Sequence, residues 1–376
     1  MKLPFSFSIP RIKPAVFQKR VLVLDVGDVY LKFAYCTKNE NGWNASLQGK
    51  EQTNTIFWHK SLESAWNAIK QSHGGMSLEK DAPKTVINLS PSIFKARSKD
   101  FFFSRKEAKA PFSEYVEREL VRMMKDMLLT SAPQEFSQSS GIQKGEFLMQ
   151  DMHALQWYID GYEVPRVQGF QGKEVKCSVL ATFLLRSWKE ALEAFRKSHT
   201  SKEFVLLHEA QALQKFALAK NMSGTFVNIG DLLTHAVGIK EGNVLFVKEF
   251  PVGGDRFTYL VEQMLGMNAA TAREFKETYS KGKVSEAMKK RVQDLFLPEA
   301  SRIGIMIQES LQPYPALMLD PVYVFGGGAQ VPDIAKAISQ EKEVRLLLPQ
   351  DIMPLSGVKE SDPQYTSLVL QLHGVS

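Results

Sequence analysis

Two cysteines in 376 residues, Cys36 and Cys177, are too few for a disulfide framework and point to a reducing, cytoplasmic setting. No apolar run reaches 18 residues, so no segment reads as a membrane-spanning helix. The seven histidines show no metal-ligand spacing. No His-Glu-x-x-His, Cys-x-x-Cys or Gly-x-Ser-x-Gly occurs, which leaves metalloprotease, zinc-module and serine-hydrolase readings without support. Gly-x4-Gly-Lys-Ser/Thr is missing as well, so this is not a P-loop protein. Charge of one sign is scarce: a net +6 is too mild to name nucleic acid or anionic lipid as a partner.

What is present is ample core. With 44% hydrophobic residues, the length suits two or three domains. Residues 1–20 stand apart: five basic residues, no acid, prolines at 4, 10 and 14, and apolar residues alternating at Leu3, Phe5, Phe7 and Ile9. They lack a secretory signal's apolar core. Two readings are open, a disordered arm or added edge strand, and a basic aromatic arm touching anionic membrane or a partner.

Beyond the arm, strands and helices alternate, which makes the class α/β. Strands are predicted at 21–26, 29–35, 84–89, 93–97, 147–159, 173–182, 204–207, 225–229, 233–239, 244–250 and 321–325. Helices are predicted at 62–69, 111–129, 184–197, 209–220 and through most of 256–312, with an exposed Ser/Gln/Gly-rich loop at 131–145.

One repeat is informative. Residues 24–34, Leu-Asp-Val-Gly-Asp-Val-Tyr-Leu-Lys-Phe-Ala, match 227–237, Val-Asn-Ile-Gly-Asp-Leu-Leu-Thr-His-Ala-Val, at an offset of 203. Each is an apolar strand entering a Gly-Asp turn and leaving as a second strand. A tight glycine turn lets backbone N–H groups converge on an anion, since no Cβ blocks the approach. Two such hairpins from facing halves can clamp a polyphosphate, with Gly326, Gly327 and Gly328 as a third turn beside the nucleoside. Aspartate is also a favoured turn residue, so a purely structural role stands beside the chemical one.

These motifs resemble the FtsA/PilM branch of the actin-like ATPase superfamily, over residues 21–374. Leu24-Asp-Val-Gly27 resembles the first phosphate loop and Asn228-Ile-Gly-Asp231 the second. Phe250-Pro-Val-Gly-Gly-Asp255 resembles the link that follows, residues 325–332 the adenosine loop, and Asp362-Pro-Gln-Tyr365 the start of the C-terminal helix. The resemblance implies two duplicated α/β halves with an inserted strand–helix–strand–strand subdomain. The expected division is a basic arm at 1–20, the first half at 21–83 and 183–222, the insertion at 84–182, and the second half at 223–376 with a helical subdomain near 256–312. Residues 158–164 and 172–179 favour the FtsA form of the insertion. The implied ligand is ATP with Mg, held by Asp25, Gly27, Lys32, Gly230, Thr234, Lys276, Gly326, Gly327 and Gly328. Asp25 falls on the metal side and Glu209 aligns with the position that orients the attacking water. Its structural alternative is helix capping.

The loops depart from the family pattern in one direction. Asp28 and Asp231 put a carboxylate into each phosphate turn, Asn228 replaces the second metal-side acid, and Arg273 stands where the family has an acid near the ribose. A carboxylate ~5 Å from a phosphate oxygen costs roughly 3 kcal/mol at an effective dielectric near 20. The expectation is weak or lost nucleotide binding and a scaffold of the FtsA type. Such a scaffold self-associates as a protofilament or dimer and recruits an FtsZ-like division polymer at the membrane. The alternatives are a PilM-like pilus-assembly platform that binds the peptide tail of an inner-membrane protein, and a working ATPase. The chain continues only eight residues past Leu368, without the family's amphipathic anchor, so either anchoring is lost or the basic arm replaces it. Lys95, Arg97, Lys99, Arg105, Lys106 and Lys109 interleave with Phe101–Phe103, a pattern single-stranded nucleic acid could use. Packing at a subdomain edge fits better, and no nucleic-acid partner is expected.

Overall fold

A computed structural model describes residues 19–40, 42–52, 62–64, 66, 67, 71, 84–198, 203–317, 320–338, 342–359 and 361–376. The arm expected at 1–20 therefore lies outside the described residues, apart from Lys19 and Arg20. Of the helix expected at 62–69, residues 62–64, 66 and 67 are helical and the others lie outside.

Strand β1 (Lys19–Val26) is buried on both faces, which is why it reads as an unbroken apolar run rather than an alternation. Leu22 and Leu24 face one core, shared with Leu62, Trp66 and Phe195, while Val21 and Val23 face another. β1 pairs antiparallel with β2 (Tyr30–Asn39), which pairs with β3 (Gly42–Gln52). On its other side β1 pairs parallel with β4 (Lys84–Leu89), Asp25 opposite Asn88.

That pairing corrects one expected boundary. The strand at 84–89 belongs to the first half's sheet, and the insertion's own sheet begins with β5 (Phe94–Ser104). The insertion continues with α1 (Glu114–Ser140), β6 (Phe147–Ile159), β7 (Tyr162–Val164) and β8 (Glu174–Leu185), in sheet order β5-β8-β6-β7. The predicted loop at 131–145 is corrected too. α1 runs to Ser140 because Ala132 and Phe136 pack into the core it shares with the sheet, and it ends on Gly141 in the left-handed region. Three of the six basic residues in the cluster are drawn into packing, while Lys99, Lys106 and Lys109 are exposed. Lys95 pairs with Glu249, Arg97 with Glu135, and the Arg105 guanidinium donates to the carbonyls of Gly172, Ala108 and Ala110.

The chain returns through α2 (Arg186–Ser198) and β9 (Glu203–Leu206), which joins β4 in parallel, then enters α3 (Glu209–Ala219). His208 caps α3, its Nδ1 accepting from Ala210 N at 3.0 Å. The second half repeats the pattern with β10 (Gly224–Ile229), β11 (Thr234–Lys240) and β12 (Asn243–Phe250). The helices α4 (Gly254–Leu265), α5 (Ala269–Ser280) and α6 (Glu286–Leu311) follow. Next come β13 (Val322–Phe325), α7 (Pro332–Ile338), β14 (Val344–Leu346), α8 (Pro349–Ile352), β15 (Leu355–Ser356) and α9 (Thr366–Val375). The sheets run β15-β3-β2-β1-β4-β9 and β12-β11-β10-β13-β14. Omitting β15, the two orders are the same fold pattern read twice. Both α3 and α9 contribute to the core that the two sheets share.

Candidate functional site

The carboxyl ends of β1, β4, β10 and β13 open into one cleft of about 460 Å³. Ligands of open α/β sheets bind outside the carboxyl ends of parallel strands. Asp25, Gly27, Lys32, Glu209, Gly230, Lys276, Gly326, Gly327 and Gly328, all expected from the sequence, line it. Thr234 does not. It is fully buried, and its hydroxyl donates to Val252 O at 2.7 Å, which is the physical reason it is turned away from the cleft.

The two hairpins are built alike. Gly27 N donates to Tyr30 O at 3.0 Å, and Gly230 N donates to Leu233 O at 2.9 Å, each closing its turn. The cross-strand pair Asp25–Lys32 corresponds to Asn228–His235 at the repeat's offset. In the first hairpin Lys32 Nζ bonds Asp25 Oδ2 at 2.7 Å and Gln364 O at 2.9 Å, and Asn88 Nδ2 donates to Asp25 Oδ1 at 2.9 Å. Both Asp25 oxygens therefore have donors.

In the second hairpin the counterparts turn to Glu209, which opens α3 and is 2% exposed. His235 Nδ1 lies 2.9 Å from Glu209 Oε1. Asn228 Nδ2 donates to Oε2 at 2.6 Å, and the Ser367 hydroxyl donates to the same oxygen. Helix capping, the structural alternative for Glu209, belongs to His208 instead. Burial holds the His208 imidazole well below its usual range, and the neighbouring His235, whose ring is 5.5 Å away, pushes the same way.

Each turn aspartate has a local partner. Ser92 Oγ donates to Asp28 Oδ1 at 2.9 Å. Asp231 Oδ2 lies 3.6 Å from the Arg273 guanidinium, which also reaches Asp255 at 3.6 Å. Burial raises the Asp231 carboxyl above its usual range, Arg273 and Lys276 oppose that, and Asp255 and Asp28 add to it. Burial likewise lowers the Lys276 ammonium, which donates to Gly254 O at 2.8 Å. Gly253 explains the link motif. A Cβ there would sit 2.4 Å from Asp231 O, so only glycine lets α4 close onto the turn. Gly326 has φ +93° and its Cβ would meet Asn228 Oδ1 at 2.2 Å.

Several lining residues carried no sequence signal. Lys50 arrives from β3, its ammonium 3.6 Å from the Tyr30 ring centroid and 3.1 Å from Gln364 Oε1. Asn88 and His235 did carry one, as polar residues inside apolar strands. Among the described residues no group of three His, Cys, Asp or Glu could hold a metal ion, and no helix is long and apolar enough to cross a membrane.

No protein-family model and no curated protein matches the sequence. Among solved structures, a chain of the PilM–PilN type IV pilus biogenesis complex is 18% identical, with 95% of this chain and 98% of that one covered at a TM-score of 0.62. An MreB of Spiroplasma citri bound to AMPPNP is 11% identical, covering 95% of both chains at 0.50. Diol dehydratase-reactivating factor in nucleotide-free form is 9% identical, covering 94% of this chain and 100% of that one at 0.50. Two sheets of one strand order, paired hairpins at a shared cleft and these likenesses together give the architecture: the chain has the actin-like ATPase fold.

Proposed function

We propose that the chain is a scaffold that holds protein partners without turning over nucleotide, a PilM-like platform for a peptide segment of a membrane protein. The observation that carries this reading is that the cleft's polar groups bond to one another. Asp25, the metal-side acid, is held by Lys32 and Asn88. The Asn228 amide and the Ser367 hydroxyl are held by Glu209, and Thr234 by a backbone carbonyl. This donor set does not fit Mg-ATP. Asp28 and Asp231 would each oppose a phosphate by roughly 3 kcal/mol at ~5 Å and a dielectric near 20.

The insertion supports a partner-binding role, because it exposes Phe102, Tyr115 and Tyr162 at 72, 72 and 78%. An FtsA-type role at a division polymer is the second reading, favoured by residues 158–164 and 172–179, which span the end of β6, all of β7 and the first half of β8. Calorimetric titration with Mg-ATP tests the first part, with the triple variant Asp28→Ser, Asp231→Gly, Asn228→Asp beside it. No saturable binding is expected for the unmodified chain, and a micromolar dissociation constant overturns the reading. A pull-down from native cells separates pilus from division partners. Capture of pilus inner-membrane proteins is expected, and division proteins in their place would select the second reading.

A further inference from the structure

The insertion's sheet ends on an open strand. β5 is outermost in the order β5-β8-β6-β7. The second half meets it toward its start, where Lys95 pairs with Glu249 and the Ser98 hydroxyl donates to Val244 O. The register with β8 fixes which backbone groups face outward beyond that point. Leu185 N donates to Ile93 O and Arg105 N to Lys173 O, so the odd-numbered residues between 93 and 105 turn their N–H and C=O toward β8. Those of Asp100, Phe102 and Ser104 point away from the sheet, and none is hydrogen-bonded to a described residue. An open edge of this kind, ~14 Å long, is a template for one more strand.

Both rims of this edge are apolar. Phe101 packs into the core under α1, so Phe102, 72% exposed, stands on the opposite face. On the α1 side, Glu135 pairs with Arg97 and Ser131 accepts from Lys99 at 3.4 Å, so α1 runs back along β5. Four helical residues rise ~6 Å and two strand residues ~6.7 Å, so the same row continues with Met127 beside Phe101 and Met123 beside Phe103. These methionines are 51 and 42% exposed, and methionine adapts to varied apolar partners. The surrounding charge is basic. Residues 99–110 carry Lys99, Arg105, Lys106 and Lys109 against Asp100 and Glu107. Asp100 is already taken by Lys176 at 2.9 Å and by the Ser178 hydroxyl at 2.7 Å, while the three lysines are exposed.

We propose that the β5 edge receives an extended peptide as an added strand, an apolar segment with acidic residues at the end that lies beside Lys106 and Lys109. This deepens the partner-holding reading and rests on it. Main-chain bonds to Asp100, Phe102 and Ser104 supply the attachment, and Phe102 and the two methionines select apolar side chains on either face. A second copy fits the edge poorly. Antiparallel pairing of two β5 edges about Phe102 would set Lys99 of one copy opposite Arg105 of the other, and like charges directly opposite are destabilising.

The test is calorimetric titration of the full chain with two blocked peptides, Asp-Glu-Val-Thr-Val-Thr-Val and its reverse order, which cover both strand directions. Saturable binding of one order is expected, weakened by added salt and lost when Lys-Lys replaces the two acids. N-methylation then separates strand addition from simple contact. Blocking one alternate set of peptide amides should abolish binding, and blocking the other set should leave it. The Phe102→Thr, Met127→Gln double variant, which changes two exposed side chains, should lose at least about 10-fold in affinity. Binding of neither order, equal binding of the Lys-Lys peptide, equal loss from both methylated sets or full affinity in the double variant overturns the proposal. Should the variant not fold, hydrogen exchange on the unmodified chain decides. The bound peptide must protect the amides of Asp100, Phe102 and Ser104, and their unchanged exchange overturns it. Single-stranded oligo-deoxythymidine protecting these amides at lower concentration than either peptide also overturns it and selects nucleic acid. Pilus proteins captured as well by the double variant as by the unmodified chain would sink this edge and leave the platform reading standing.

Discussion

Removing the Glu209 carboxylate is the perturbation that bears hardest on how the cleft is held. Its two oxygens receive His235 Nδ1, Asn228 Nδ2 and the Ser367 hydroxyl, all within 2–3% exposure except Asn228. In Glu209→Ala these three donors lose their acceptor, and each buried donor left alone costs about 1–3 kcal/mol. Relief of the buried carboxylate's own desolvation, several kcal/mol, offsets part of the roughly 3–9 kcal/mol gross loss. Water entering from the adjoining cleft offsets more. A net destabilisation of about 3 kcal/mol remains, in the range found when one partner of a buried charged pair is deleted. Glu209→Gln keeps the shape and one acceptor, and the Ser367 hydroxyl can rotate to accept, so its cost should be near 1 kcal/mol. Urea unfolding at pH 7 followed by far-UV circular dichroism measures both. A double-mutant cycle with Asn228→Ala should show a coupling of at least about 1 kcal/mol. A Glu209→Ala cost below about 1 kcal/mol, or strict additivity in the cycle, would refute the assignment of Glu209 as the polar hub between the halves.

Three further outcomes are expected. Gly253→Ala should destabilise by about 1–3 kcal/mol in the same assay, since its Cβ would meet the backbone of Asp231; an unchanged urea midpoint contradicts the close approach. His208 is held neutral in the fold, so protonation favours the unfolded chain and stability falls as pH drops below about 6.5. The slope from this group approaches about 1.4 kcal/mol per pH unit, and His208→Asn, which keeps a capping side chain, should flatten the pH profile of the melting temperature. Gln371 is fully buried on α9, and neither of its amide atoms has a partner among the described residues. Gln371→Met should therefore raise stability by about 1–2 kcal/mol, and a loss of stability would mean that the amide is satisfied.

The paired hairpins were legible because each encodes its own turn. Glycine and aspartate interrupt strands whose apolar positions feed two different cores, so the eleven-residue repeat at an offset of 203 carried both geometry and site. The boundary at residue 84 was not legible. β4 is an apolar run like any buried strand, and its parallel partner β1 lies some 60 residues earlier, so nothing local records the pairing. The last turns of α1 were missed for a related reason. Ser131, Gln134, Ser137 and Gln138 make a loop-like composition, while the helix is sustained by contacts such as Phe136 against Phe147 of β6 and Phe183 of β8, strands that come later in the chain. At the cleft, Asp28, Asp231 and Asn228 were readable as departures from a pattern. That Asn228 and His235 both turn to Glu209 was not, since the three meet only when α3 settles beside β10 and β11.

The placement of α9 has a consequence for how the chain matures during synthesis. Strands β10 to β14 span residues 224–346 and form their sheet from one contiguous stretch, so that sheet is complete once its own segment has emerged. The first sheet has no such autonomy. α9 packs on β1, β4 and α3, and the Lys19 ammonium bonds the carbonyls of Val375 and Ser376 at 3.1 Å. β1 thus waits for α9, some 350 residues later, before its inner face is covered, a sequence separation that slows closure. Domains in general assemble in order from the ribosome, but here the later-made sheet can close first. Until then the inner faces of Val21 and Val23 stay open to water, where a chaperone that shields apolar strands would find them.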